Sequence, residues 1–408
     1  MRLLRALEAL CVLLLLSSLW HPATAMAASM KVLALGPVTP AGLSSDEVWE
    51  SLGVDAQGRV YIAAGGAPPP STVGDVGFFR YSPSTDTLEY LSSAKTVLAA
   101  AGNLLSGERV AKVHTDWVSY QGKLYFATSD YHGGEDPATI RGAHLLQFDP
   151  GTGVFDDLSR FAANGVIAPN DGIQGFDIDR ANGIFVGMAY PSGKLIRFNL
   201  ATHALSITTA PIAFQQVTRK VLAQAGMGYF TYLASYTDER GPLWAIDTSS
   251  GAYHNTNQFT AFGIVHGRVH SADDTQAWLL DEQAGLTRFT RSTETLTNLG
   301  TLIPPADLTG DYHHGAGDTL ALSNDGKVLF SFLISNSTLY SYDLATGTRT
   351  QAATFNSGAA WPASPTALTI DHQGALYLAD MNGTNQVRLV QLSGVPGSPP
   401  VPMSVSAG

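Results

Sequence analysis

Lys112, His114 and Asp116 occupy every second position of KVHTDW, a spacing that on an extended strand projects all three from one face and Thr115 and Trp117 from the other. An amine, an imidazole and a carboxylate on one face can do acid-base chemistry or recognise an anion. The next strand, Lys123 to Thr128, is aromatic and β-branched and runs into Ser-Asp-Tyr-His-Gly-Gly. His132 in that loop is therefore expected to meet His114 above a common cleft. Further candidates are Tyr190 before a Pro-Ser-Gly turn, Arg219 in VTRKVL, and His266, His270, His313 and His314. His266 and His270 joined by His314 would make a site for a divalent metal, zinc or calcium. Each has a structural alternative: a strand histidine satisfied by a carbonyl, a packed tyrosine, a surface arginine.

These residues need a scaffold that brings distant segments together, and internal repeats supply one. A strand, a polar turn and an aromatic or aliphatic strand recur in VDAQGRVYIAA, VSYQGKLYFAT, IDRANGIFVGM, LAQAGMGYFTY, HSADDTQAWLL, LSNDGKVLFSF and IDHQGALYLAD. Anchored at Gly58, Gly122, Gly183, Gly228, Gln276, Gly326 and Gly374, the intervals run from 45 to 64 residues, the period of a propeller blade. Most units continue into a third strand such as LLQFDPGTG or LYSYDLATG, whose tail is a hairpin turn toward an outer strand. The expectation is an all-β, seven-bladed β-propeller over residues 30–393. MKVLAL near the N-terminus has no inner partner of its own, so it is expected to supply the outer strand of the last blade and close the ring. A short helix is expected within Leu91 to Val113, an insertion over Asp136 to His144, and a disordered Pro, Gly and Ser-rich tail over 394–408.

Composition narrows the partners. With 23 basic and 34 acidic residues the net charge is −11, which disfavours nucleic acid and anionic membrane surfaces as main partners. Arg2 and Arg5, the apolar run Leu10 to Leu16 and Ala23-Thr24-Ala25 read as a secretory signal over residues 1–25, giving a secreted or periplasmic protein with no membrane span after its removal. The single cysteine, Cys11, falls in that segment, so thiolate chemistry is excluded from the mature chain. There is no G-x-S-x-G elbow, phosphate-cradling glycine loop or HExxH. A metal-dependent lactone or ester hydrolase would need a carboxylate cage, for which Asp177, Asp318 and Asp371 are not an adequate set.

KVHTDW, GKLYFATS, GIFVGMAYPSGKLIRFNL and VTRKVL ahead of GYFTY together resemble the propeller-type polysaccharide lyases, the group of ulvan and rhamnosyl-glucuronate lyases. The resemblance covers the second to fourth units. It implies β-elimination on a uronate-containing polysaccharide, with His114 and Tyr190 at the family's histidine and tyrosine positions, Arg219 as a candidate to hold the carboxylate and a metal ion sometimes bound; His114 or His132 is then expected as base, Tyr190 as acid and Lys112 as a further substrate-binding residue. A cation there would stabilise the enolate-like charge that develops. The pattern departs at Ser129, where the family places its second histidine; His132 follows three residues later. The expected protein is thus a monomeric lyase of an anionic polysaccharide, the alternative being a non-catalytic carbohydrate- or protein-binding propeller of the cell envelope.

Overall fold

The computed structural model describes residues 28–66, 74–130, 136–234, 240–308, 319–333, 337–354, 365–382 and 386–397. Among the described residues seven antiparallel blades follow one another along the chain, five of them meanders of four successive strands counted outward from the axis of the ring, while blade 4 has a split inner strand and blade 7 takes its outer strand from the N-terminus. Blade 1 is built from Leu52–Val54, Val60–Gly66, Asp75–Ser82 and Thr87–Ser93; blade 2 from Val118–Tyr120, Lys123–Ala127, Leu145–Asp149 and Val154–Asp157. The inner strands of blades 3, 5, 6 and 7 are Gly172–Asp179, Val265–His270, Ala321–Leu322 and Pro365–Ile370. In blade 4 the inner strand is split into Gln216–Val217 and Leu222–Gln224, both paired with Met227–Leu233.

Alternation within the strands explains why the sheets stack as a ring. In the second strand of blade 1, Val60, Ile62 and Ala64 pack against Tyr377, Ala379 and Leu389 of blade 7. Tyr61 and Ala63, one residue out of phase, pack toward Trp117, Phe126 and Phe148 of blade 2. Both faces of each sheet are thus buried, which is why these strands read as nearly continuous apolar runs. Seven such clusters occupy the seven interfaces between neighbouring blades, blade 7 against blade 1 included. The outer strand of blade 7 is Ser29–Ala34, paired antiparallel with Gln386–Ser393 in the register Met30 to Leu392 and Val32 to Val390. The N-terminal segment thus lies where the unpartnered MKVLAL suggested.

Local expectations fare unevenly. The helix is Ala94–Ala100, started by Ser93, whose side chain accepts from Thr96 N. The insertion after blade 2's second strand holds the 3-10 turn Pro137–Thr139 and a short strand, Gly142–Ala143, paired with Ala168–Pro169. The blade 4 hairpin turns at Ala225 and Gly226, not at Gly228: Gly226 takes the positive φ of 92°, while Gly228 lies inside the strand. The start of the tail is ordered, with Val395 buried in the interface between blades 6 and 7. Residues 398–408, like the signal-like residues 1–25, lie outside the described set. Among the described residues no helix is long and apolar enough to cross a membrane.

Candidate functional site

The inner strands all run the same way along the central channel, so residues at their starts gather at one end and residues at their finishes at the other. Trp49, Lys112, Tyr190 and Arg219 belong to the first end. Tyr190 finishes the second strand of blade 3 and pairs with Gly172, which starts the inner strand.

The hub of this end is Glu50, a buried carboxylate with a positive φ of 51° just before the first inner strand. Arg219 Nη1 donates to its Oε1 at 3.3 Å, His114 Nδ1 lies 3.5 Å from the same oxygen, and Lys220 Nζ makes an ion pair with Oε2 at 2.9 Å. The His114 ring also stacks on Trp49 at 5.7 Å and 13°, and Lys112 Nζ stands 5.2 Å from the centroid of the same tryptophan.

Two interruptions of regular strand produce this convergence. Consecutive residues of a strand point to opposite faces, yet Arg219 and Lys220 both reach Glu50. They do so because the inner strand of blade 4 breaks there, and the N–H groups of both turn to the carbonyl of Val265 in blade 5, at 3.0 and 3.3 Å. Blade 2 is likewise irregular: only Val118–Tyr120 forms a ladder, and Val113 bridges Thr128 alone. Thr115 Oγ1 takes the place of a backbone partner, accepting from Ala127 N at 3.0 Å. The regular strand expected over KVHTDW is therefore replaced by a bent segment, although Lys112, His114 and Asp116 all still engage residues of the channel.

Below Glu50 the charges continue as a ladder. Lys220 Nζ donates to Asp116 Oδ1 at 2.8 Å, and Asp116 Oδ2 lies 3.5 Å from Arg268 Nη2. Arg268 Nη1 pairs with Asp177 Oδ2 at 2.9 Å, and His270 sits between Asp177 and Asp274, its Nε2 2.9 Å from the first and its Nδ1 2.8 Å from the second. Burial alone would lower the Lys220 pKa, but Asp116 and Glu50 outweigh it and raise it. Burial likewise opposes a charged His270, and Asp177 and Asp274 prevail, raising its pKa. The Asp177 carboxyl, which burial would raise, is held well below the ordinary range by Arg268 and His270.

Of the expected site residues, Lys112, His114 and Arg219 are brought together around Trp49 and Glu50. Tyr190 is half-buried at the same end, packed beside Val217 and Tyr232 of blade 4. His132, His313 and His314 lie outside the described residues. Ser129 is buried, donates its N–H to the Lys112 carbonyl at 2.8 Å, and presses against Gly172 so closely that a Cβ there would overlap its hydroxyl. His266 and His270 do not combine as metal ligands. Four residues of strand, about 13 Å, separate them, and His266 Nε2 lies instead 3.4 Å from Glu282. Among the described residues no group of three or more His, Cys, Asp and Glu side chains is disposed to hold a metal.

Glu50, Lys220 and Arg268 had not been singled out in the sequence. Period two from His266 through Arg268 to His270 was a usable signal for the arginine; nothing local distinguishes Glu50. A second buried cluster lies outside the channel: His144 Nε2 is 2.9 Å from Glu108, which also pairs with Arg141 at 3.0 Å, and Asn103 donates to Asp157 at 2.6 Å. It ties the helix-bearing connection to blade 2.

No protein-family model matches the sequence, and no curated protein matches it. Solved structures do. The RRP9 WD40 repeats align with a TM-score of 0.55 at 10% identity, covering 89% of this chain and 97% of that one. The Cps50 (Swd1) β-propeller domain of Myceliophteria thermophila aligns at 0.53 and 11%, covering 88% and 99%. U3-55K aligns at 0.56 and 10%, covering 89% and 98%. At such identities these likenesses concern the fold: the chain is a seven-bladed β-propeller.

Proposed function

We propose that this protein is a non-catalytic binding propeller of the cell envelope, with an anionic glycan held at the end of the channel where Lys112, Tyr190 and Arg219 lie. The observation that carries this reading is Glu50. β-Elimination needs a cation to neutralise the uronate carboxylate and a base to take the adjacent proton. Here Arg219, Lys220 and His114 are gathered on one buried carboxylate of the protein itself. The buried Ser129, packed on Gly172, further removes the position at which the lyases carry their second histidine. The partly exposed Lys112, Trp49 and Tyr190 at the rim, with the Arg219 edge that Glu50 leaves open, remain suited to a sugar acid, whose carboxylate they can meet without proton transfer.

Elimination is the second reading, and one observation favours it: Lys112, His114 and Arg219, remote in sequence, do converge. Incubating the purified protein with a panel of uronate polysaccharides separates the two. Binding followed by calorimetry, lost in Lys112→Ala and Arg219→Ala, with no ultraviolet absorbance from an unsaturated uronate, is the expected result. A rise in that absorbance abolished by His114→Ala would make the protein a lyase.

A further inference from the structure

The opposite end of the channel, where the inner strands finish, contains a cavity of about 480 Å³. That volume lies within the ~300–1,000 Å³ typical of small-molecule sites. Its wall is divided. Blades 2 to 5 contribute Asp116, Asp177, Arg180, Lys220, Arg268 and His270, whereas blades 6, 7 and 1 contribute mainly aliphatic side chains, among them Leu322, Ile370 and Val54, with Ser323, Asn324 and Asp325 beside them. Lys220 reaches Glu50 at the first end, but Lys112, Tyr190 and Arg219 are not part of this wall.

The buried charges on the polar half are matched within the protein, whereas the exposed Arg180 donates to the Ser119 carbonyl. Lys220, Arg268 and His270 stand against Asp116, Asp177 and Asp274, each cation within 3.5 Å of at least one carboxylate of this set. Among these buried groups an ionic ligand would bring a charge with no counterion left for it, and burying an unpaired charge is costly, whereas a pair with the exposed Arg180 would be worth little. A neutral hydroxyl suffers no such cost: it can donate to a carboxylate and accept from a guanidinium or ammonium group. Two groups have capacity for it. Asp116 is partly accessible, 27% where Asp177 is 1%. Arg268, whose Nη2 is 3.5 Å from Asp116 Oδ2, lines the same wall as a donor.

We infer that this cavity is a second ligand site, taking a neutral polyhydroxylated molecule of one or two sugar rings, its hydroxyl edge on Asp116 and Arg268 and its apolar face on Ile370 and Val54. The inference is independent of the glycan reading, because its aliphatic wall lies at the other end of the channel.

The test is saturation-transfer NMR on the full chain with glucose, galactose, rhamnose, maltose and cellobiose, together with phenylacetate and phenethylamine as anionic and cationic probes. At least one neutral sugar is expected to show transfer, with its affinity reduced tenfold or more by Ile370→Trp, which fills the cavity from its aliphatic side without touching the charge ladder. Val54→Phe serves the same purpose should the first variant fail to fold, and Lys112→Ala is expected to leave this binding unchanged. Transfer to none of the sugars, stronger transfer to either charged probe, or sugar binding indifferent to both cavity-filling variants would each overturn the proposal. Loss of sugar binding in Lys112→Ala but not in Ile370→Trp would assign the sugar to the rim and overturn it too.

Discussion

Lys220 Nζ stands 2.9 Å from Glu50 Oε2, an ion pair between blades 4 and 1 that spans the channel with both side chains at least 95% buried. The same ammonium donates to Asp116 of blade 2, so one cation ties three blades together at the axis. Removing one partner of a buried pair leaves the other uncompensated, which is far costlier than losing a surface pair. Glu50→Ala is therefore expected to destabilise the fold by on the order of 3 kcal/mol, read as a lower urea midpoint. A midpoint equal to that of the wild type would mean that the blades are held by their apolar interfaces alone.

The ladder also gives stability a pH dependence at both ends. His270, whose pKa the carboxylates raise, contributes stability that is complete below the unfolded imidazole value of about 6.5 and is lost as pH rises through its higher folded value. Asp177, whose pKa is depressed, contributes above the unfolded value of about 3.9 and loses its contribution as pH falls below it. Urea midpoints measured at neutral and at alkaline pH should fall more steeply for the wild type than for His270→Gln. Parallel declines would show that the imidazole carries no charge in the folded protein.

Gly175 controls the rim by a close approach. It sits at a bulge in the inner strand of blade 3, and a Cβ there would overlap the Arg219 carbonyl. Gly175→Ala must push the broken strand of blade 4 outward, at a cost of about 1–3 kcal/mol, and move the guanidinium off Glu50. Glycan affinity is expected to fall along with thermal stability; full affinity in a destabilised variant would detach Arg219 from recognition.

Ser129→His tests whether the lyase pattern can be restored. The side chain at 129 presses on Gly172, so an imidazole in the same orientation is overpacked and should cost about 1–3 kcal/mol without generating unsaturated product. Appearance of that product in the variant would show that a single residue withholds the activity.

The propeller was legible in the sequence because its determinants are local and repeated. Each turn glycine, and each alternation such as Val60, Tyr61, Ile62 and Ala63, reports a strand whose two faces meet two neighbouring blades, and the unpaired MKVLAL pointed to the strand beside Gln386–Ser393. Lys112, His114 and Arg219 were legible by type and position. What they do was not, because it depends on Glu50, which is far from Arg219 in the chain, and on a break that turns both Arg219 and Lys220 inward. Strand periodicity predicts that two consecutive residues face opposite ways, and the sequence carries no mark of where that rule is suspended. Pairing across the axis of a closed ring is likewise set by its geometry, so the sequence determined the blades and their order, while only the tertiary structure decided which charges meet in the channel.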